Sequence, residues 1–318
     1  MNDLTIIEEG MISARPFAPG AEKHLEVEHK VLDHGFVRMV DYMGNDAAIA
    51  QAARVSYGRG TKSVSEDRGL IRYLMNHWHS TPFEMCEVKL HVKLPVFVAR
   101  QWIRHRTANV NEYSARYSIM DREFYIPEAA VMAKQSTTNN QGRGEILDPE
   151  VAREVQEVLL RDAMRAYDHY ELMLGDPDKR YCDDEGDFVP GKGLARELAR
   201  MNLPTNIYTQ WYWKVDLHNL FHFLRLRADP HAQYEIRAYA DAICNMVRDW
   251  VPTAYEAFED FRLNAKQFSS MEMAVVSALV AMDETRHILE SPEAFREFCE
   301  PHGMSVREAR ELRAKLNG

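Results

Sequence analysis

Alternation of apolar and polar residues along the chain sets the first expectations. Over 86–94, Val88, Leu90, Val92 and Leu94 share one side, and Glu87, Lys89, His91 and Lys93 share the other. That period of two predicts a strand with one core face. FVRMVDYM (36–43) sets Phe36, Arg38 and Val40 against Val37, Met39 and Asp41, which also suits a strand. The β-branched and aromatic run PTNIYTQWYWK (204–214) predicts a third.

Helical spacing fills much of the rest. Asn45 or Asp46 can cap a helix through Ala53, with Gly58 and Gly60 as stop signals. Leu70, Ile71, Leu74 and Met75 mark a helix that opens near Ser65 and ends near His77–His79, where Pro82 blocks continuation. Pro95 opens a helix whose C-terminal end reaches Arg104-His105-Arg106. Further helices are expected over 149–174, 195–201, 216–227, 232–250 and 252–263. Asp229-Pro230-His231 breaks the pattern between two of them. The polar stretches 134–144 and 175–193 are expected to be loops, the first of them mobile. Residues 1–34, punctuated by Pro16, Pro19 and Gly20, are expected to form a loose arm. Residues 35–268 form the core domain, and 269–318 a tail of two or three charged helices.

Composition narrows the class. The 318 residues are 46% hydrophobic and 28% charged, an ordinary globular balance. A net charge of -10 opposes general nucleic-acid binding, which favours a basic face. Cys86, Cys182, Cys244 and Cys299 form no C-x-x-C pair, which fits a reducing compartment. The N-terminus lacks a signal-peptide apolar core, and no run suits a membrane helix. These features predict a cytoplasmic protein with neither nucleic acid nor membrane as partner.

Against the acidic whole, residues 101–118 (QWIRHRTANVNEYSARYS) are locally basic. Their arginines need either an anionic ligand or internal carboxylates. Ser114, small Ala115 and Arg116 offer a hydroxyl, backbone N–H groups and a planar guanidinium, which are the parts of a phosphate cradle. Glu112 can accept from a sugar hydroxyl or orient an arginine. His218 and His222 share a helix face, open to a metal, a flat ligand or plain solvent. A metal needs a third ligand, and no H-E-x-x-H spacing supplies one. No G-x-S-x-G, G-x-G-x-x-G or Walker A motif occurs, and no cysteine adjoins a histidine.

Arg104-His105-Arg106, seven residues, then Ser114 resembles the R-H-R-x7-S signature of the flavin-dependent thymidylate synthases, the ThyX family. Asn111-Glu112, Arg116-Tyr117-Ser118, Thr81-Pro82-Phe83-Glu84 and Leu226-Arg227-Ala228-Asp229 extend the resemblance over roughly 33–261. It implies an α+β fold, with a central antiparallel sheet flanked by long helices and a helical C-terminal appendage. It also implies a homotetramer with shared active sites. The implied reaction methylates dUMP to dTMP with methylenetetrahydrofolate as carbon donor and FAD reduced by NADPH as hydride source. Carried over, Gln101, Arg104, Glu112, Ser114, Ala115, Arg116 and Arg200 hold dUMP, and Arg227 contacts the uracil as the catalytic residue. Ser56, His79, Thr81, Glu84, Arg104, His105, Arg106 and Glu112 face the flavin, with Asp216, His218 and His222 from a neighbouring chain. The chain departs from the family at Ala115, often Gly, and at Asp216-Leu217-His218 and His222, where many members carry Asn-x-Arg and then Asn. Two other classes remain: a nucleotide- or RNA-binding module using 101–118, and a metal-dependent phosphohydrolase on His218, His222 and Asp229.

Overall fold

The structure, a computed structural model, describes residues 5–6, 12–13, 16–55, 64–137, 142–280 and 283–316. They divide into two compact units, Met1–Asn264 and Ala265–Gly318.

In the first unit, β1 (Thr5–Ile6) and β2 (Ile12–Ser13) pair with each other. Next come α1 (Pro19–Glu22), β3 (Glu28–Val31), β4 (Gly35–Met43), α2 (Asp46–Val55), α3 (Val64–Asn76) and α4 (Thr81–Glu84). Then follow β5 (Glu87–Pro95), α5 (Val96–Trp102), β6 (Asn109–Glu112), the hairpin β7 (Ala133–Gln135) and β8 (Arg143–Ile146), and α6 (Pro149–Leu174). A second hairpin, β9 (Tyr181–Cys182) and β10 (Phe188–Val189), precedes α7 (Arg196–Ala199) and β11 (Tyr208–Asp216). The unit closes with α8 (Leu217–Arg227), α9 (Tyr234–Trp250) and α10 (Pro252–Phe258).

One sheet organises these elements, in the order β3-β4-β5-β11-β6, antiparallel throughout. β5 pairs with β11 from Glu87↔Asp216 to Pro95↔Tyr208. Val88, Leu90, Val92 and Leu94 are buried, as their alternation predicts. In β4 a register shift between Met39 and Asp41 breaks the simple alternation. Val37, Met39 and then Tyr42 face the core, so Asp41 loses the inward place that strict alternation with Val37 and Met39 would give it. α9 covers the sheet, and its Tyr239 hydroxyl donates to the Lys93 carbonyl at 2.7 Å. A Cβ on Gly35 would lie 2.0 Å from that hydroxyl and 2.6 Å from the Val31 carbonyl oxygen. Gly35→Ala is therefore expected to lower stability by about 1–3 kcal/mol in a thermal melt.

The loose arm does not hold over its described part: α1 buries Ala21, and β3 is the sheet's outer strand. The Pro16 and Pro19 signals mark an entry into structure because Pro19 opens a helix. Both polar loops carry short hairpins; 138–141 lies outside the described residues, as do Gly58 and Gly60. The helix after Pro95 ends at Trp102, so Arg104–Arg106 occupy turns rather than its last coil. The chain must turn there to reach β6. α6 begins at its Asp148 cap and ends at Gly175, whose φ of 70° is left-handed.

Among its described residues the second unit holds four α-helices: α11 (Ser270–Val280), α12 (Asp283–Glu290), α13 (Pro292–Cys299) and α14 (Val306–Leu316). The sequence suggested two or three. Leu289, Phe295, Cys299 and Ala309 form its own buried cluster. No helix among the described residues is long and apolar enough to cross a membrane.

Candidate functional site

The three-residue basic run sits where α5 meets the sheet edge. Trp102 anchors the end of the helix; its ring stacks on Phe223 at 4.6 Å and meets the Trp213 ring edge-on at 5.1 Å. Arg104 and Arg106 beyond it are exposed, while His105 is half-buried. The last turn of α8 comes back to this point. Arg227 Nε donates to His105 Nε2 at 3.1 Å. Nε2 thus serves as the acceptor, which puts the imidazole proton on Nδ1. Burial, the Arg227 guanidinium and His222 together push the His105 pKa down to about 4. His105 is neutral near pH 7, and its ring lies 5.9 Å from His222. Burial also lowers the Arg227 pKa, but an arginine remains charged.

A chain of amides and a carboxylate leads away from Gln101. Gln101 Nε2 donates to Gln233 Oε1. Gln233 Nε2 donates to Glu235 Oε2 at 2.8 Å. Arg143 Nη2 lies 2.7 Å from each Glu235 oxygen, and the Tyr125 hydroxyl donates to Oε1 at 3.1 Å. Glu235 is only 3% exposed. Burial opposes its charge, yet the bonds from Arg143 and Gln233 hold its carboxyl below the usual range.

On the edge strand, Glu112 stands opposite Trp211 and accepts from Thr209 Oγ1 at 2.9 Å. Past it the chain turns sharply. The Ser114 carbonyl accepts from the N–H groups of Tyr117 and Ser118, both at 3.0 Å, and Ser114 Oγ accepts from Arg116 N at 3.3 Å. Ala115 is buried and Arg116 exposed. Arg116 Nε lies 3.6 Å from the Glu197 carboxylate, and Arg200 Nε donates to the Glu197 carbonyl at 3.4 Å. Arg196 donates to the Tyr117 carbonyl at 2.8 Å. Arg116 within the 114–118 turn and Arg196 against it are thus linked to the segment that carries Glu197 and Arg200, so the basic stretch has an internal carboxylate near it.

A shallow cleft lies between the end of α3 and the face of α8. Trp78, His79 and Phe83 line one wall; His218, Phe221, His222 and Arg225 line the other, with Arg262 at its end. Trp78 is 58% exposed and held at φ 60°, in the left-handed region. The Arg262 guanidinium lies 3.5 Å from the Trp78 ring centroid. Burial and Arg225 lower the Arg262 pKa to about 10. Thr81 and Glu84 lie on the adjoining α4.

Asp216 has a local use. Its oxygens accept from Asn219 N at 2.9 Å and Asn219 Nδ2 at 2.7 Å, capping α8. Asp216→Ala is expected to cost about 1 kcal/mol of stability, read as a lower melting temperature. Ser56 lies outside the described residues. Among the described residues no three metal-ligating side chains gather; His231 pairs with Asp229 instead, at 2.9 Å.

The structure thus brings together His105, His222 and Arg227, and separately Ser114 and Arg116, with Arg200 reaching them only by way of Glu197, and with Glu112 on the preceding strand. Sequence reasoning missed Arg143 and Glu235 as a pair, and it missed Arg196, Arg225 and Arg262. Arg143 lay in a stretch whose polarity signals only a loop. The clustering of Arg196 and Arg200 at α7 was the one signal that could have found Arg196.

A family model described as thymidylate synthase complementing protein matches residues 38–253. A flavin-dependent thymidylate synthase of Ruegeria pomeroyi is 64% identical over 298 residues, 94% of this chain and 91% of its own length. Its counterpart from Gluconobacter oxydans is 55% identical over 310 residues, 98% and 94% of the two chains. Among solved structures, the UMP/dUMP methylase PolB of Streptomyces cacaoi bound with 5-Br dUMP superposes with a TM-score of 0.63 at 30% identity, covering 74% of this chain and 99% of that one.

Proposed function

The chain belongs to the family of flavin-dependent thymidylate synthases, and from that premise we propose how its residues share the work. It converts dUMP to dTMP with 5,10-methylenetetrahydrofolate as carbon donor. FAD, reduced by NADPH, supplies the hydride. The observation that carries this reading is the Arg227–His105 contact, which joins the R-H-R run to a helix 122 residues away in sequence.

Arg227 is the proposed catalytic residue. Its Nε is committed to His105, so its two terminal nitrogens, without a partner among the described residues, can address the uracil edge. A fixed positive charge beside the imide favours loss of the N3 proton. The electron density returned to the ring makes C5 the nucleophile. Neutral His105 holds the guanidinium without adding charge of its own.

Ser114, the Ala115 N–H, Arg116 and Arg200 are proposed to take the phosphate, with Gln101, Arg104 and Glu112 completing the nucleotide site. A phosphate dianion competes with the Glu197 carboxylate for these arginines, and charge-assisted bonds to a guanidinium favour it. Arg116→Ala is expected to weaken dUMP binding by about ten- to a hundredfold in a titration.

The residues fit a flavin nucleotide. The cleft offers flat apolar walls, imidazoles at His79, His218 and His222, cations at Arg225 and Arg262, and no carboxylate in its lining. An acid-free cationic end suits phosphates in a chain that is otherwise acidic. His79, Thr81, Glu84, Arg104, His105, Arg106, Glu112, His218 and His222 are proposed to hold FAD, with Ser56 a further candidate from the family resemblance; His218 and His222, expected to reach the flavin from a neighbouring chain, line the same cleft as His79 within one chain. Asp216 acts there through the helix it caps.

A homotetramer with shared sites and a cytoplasmic location complete the proposal. Val151, Val155 and Val158 recur on one exposed face of α6, which supports assembly. Four unpaired cysteines support a reducing compartment.

The deciding experiment is the visible spectrum of purified protein supplied with FAD, followed by a dTMP assay with all substrates. Bound flavin and dTMP are expected; the absence of both ends this reading.

A further inference from the structure

We propose that Glu235 is a positioning residue: through Gln233 it orients the Gln101 amide so that its oxygen meets a hydrogen-bond donor on the bound nucleotide. This rests on Gln101 facing dUMP.

A glutamine amide presents either its oxygen or its NH2 after a half-turn, so something must choose. Here a buried carboxylate chooses. Ionised Glu235 can only accept. Arg143 reaches both of its oxygens at 2.7 Å, Tyr125 donates to Oε1 at 3.1 Å, and Gln233 Nε2 donates to Oε2 at 2.8 Å. The Gln233 NH2 is thereby committed to the carboxylate, and its oxygen faces the other way. Only a donor can meet that oxygen, and Gln101 Nε2 does. That leaves the Gln101 oxygen on the far side of its amide from Gln233, with one N–H of the NH2 group still to be used. Turning the Gln101 amide over would set oxygen against oxygen. Turning Gln233 as well would set its oxygen against a buried carboxylate, which costs the pairing of both groups.

Two donors on dUMP could use such an oxygen, the imide N3–H and the sugar 3′-hydroxyl. If N3–H is the partner, the relay selects uracil over cytosine, whose N3 accepts. A site built to pair a polar group rejects an analogue that lacks it far more strongly than an apolar pocket does.

The test is a thermodynamic cycle. dUMP is titrated calorimetrically into the FAD-loaded wild type, Glu235→Gln, Gln233→Leu, Gln101→Ala, and each of the first two combined with Gln101→Ala. Glu235→Gln and Gln233→Leu are each expected to weaken dUMP binding about tenfold, with FAD affinity unchanged. In the Gln101→Ala background they should cost nothing further, because their effect runs through Gln101. Additive losses, as a general structural role gives, overturn the relay, and so does undiminished affinity in Gln233→Leu. That variant leaves the Arg143–Glu235 pair in place, so it decides the matter if Glu235→Gln does not fold. Titrations with dCMP and with 2′,3′-dideoxyuridine monophosphate identify the donor. The analogue lacking it binds weakly to the wild type and is indifferent to Gln101→Ala; sensitivity of both analogues to that substitution overturns the assignment. A wild type that fails to bind dUMP overturns the thymidylate synthase reading along with the relay, whereas normal wild-type binding with additive losses removes the relay alone.

Discussion

Arg227→Ala is expected to lower kcat/KM for dUMP methylation by about a hundred- to a thousandfold while the protein stays folded. That is the size of loss found when one preorganised electrostatic partner of a developing charge is removed. The residue ends α8, and its neighbour Ala228 continues the helix bond to the Leu224 carbonyl at 2.8 Å, so the backbone does not depend on the side chain. Arg227→Lys should not restore activity, because an ammonium has no second arm to span His105 and a ligand. Turnover equal to the wild type would remove Arg227 from the chemistry.

The same substitution has a second readout. Arg227 helps to depress the His105 pKa to about 4, after burial and ahead of His222. Without the guanidinium, that pKa should move up toward the ordinary 6.5, which imidazole NMR would report. The folded form of His105 prefers to be neutral, so the unfolded chain binds the extra proton first. Stability from this group is present above pH 6.5 and is lost as pH falls from 6.5 toward about 4. Arg227→Ala narrows that window from below.

Trp102→Ala should be the most damaging single change to the fold, costing about 3–5 kcal/mol. The ring is fully buried against Phe223, Trp211, Trp213 and Tyr239. Its indole N–H is buried with no partner among the described residues. Trp102→Phe should therefore cost much less, since it breaks no hydrogen bond and keeps most of the packing. Chemical denaturation of the two variants separates them; equal losses would place the stabilisation elsewhere. Because Arg104–Arg106 leave the helix directly from this ring, flavin affinity should fall with stability in the alanine variant.

Much of this fold is legible in the chain wherever one periodicity acts alone. The 86–94 alternation becomes β5, and the 149–174 pattern, with Asp148 and Gly175 at its ends, becomes α6. Legibility fails where tertiary pairing overrides local signals. Glu28–Val31 is charged and short, yet it joins the sheet because β4 offers it an edge. Asn109–Glu112 is polar, yet it pairs because β11 lies beside it. In the site, residues adjacent in sequence were named readily. Arg143 and Glu235 were not recognised as a pair, because nothing local links a polar loop to a helix start 92 residues on.

The edge strand β6 also explains a count. Seven residues separate Arg106 from Ser114. Four of the residues between the helix end and the turn are pinned to β11, from Asn109↔Lys214 to Trp211↔Glu112. Side chains on a strand alternate, so inserting or deleting one residue there would swing Glu112 to the opposite face and away from Thr209. The ladder would have to slip by two residues, about 7 Å, before the alternation matched again. The spacing in the signature thus acts as a length gauge between the proposed flavin side and the proposed phosphate side, and a one-residue insertion there should disturb the site more than one in the β7–β8 or β9–β10 hairpin, which stand outside the five-stranded sheet.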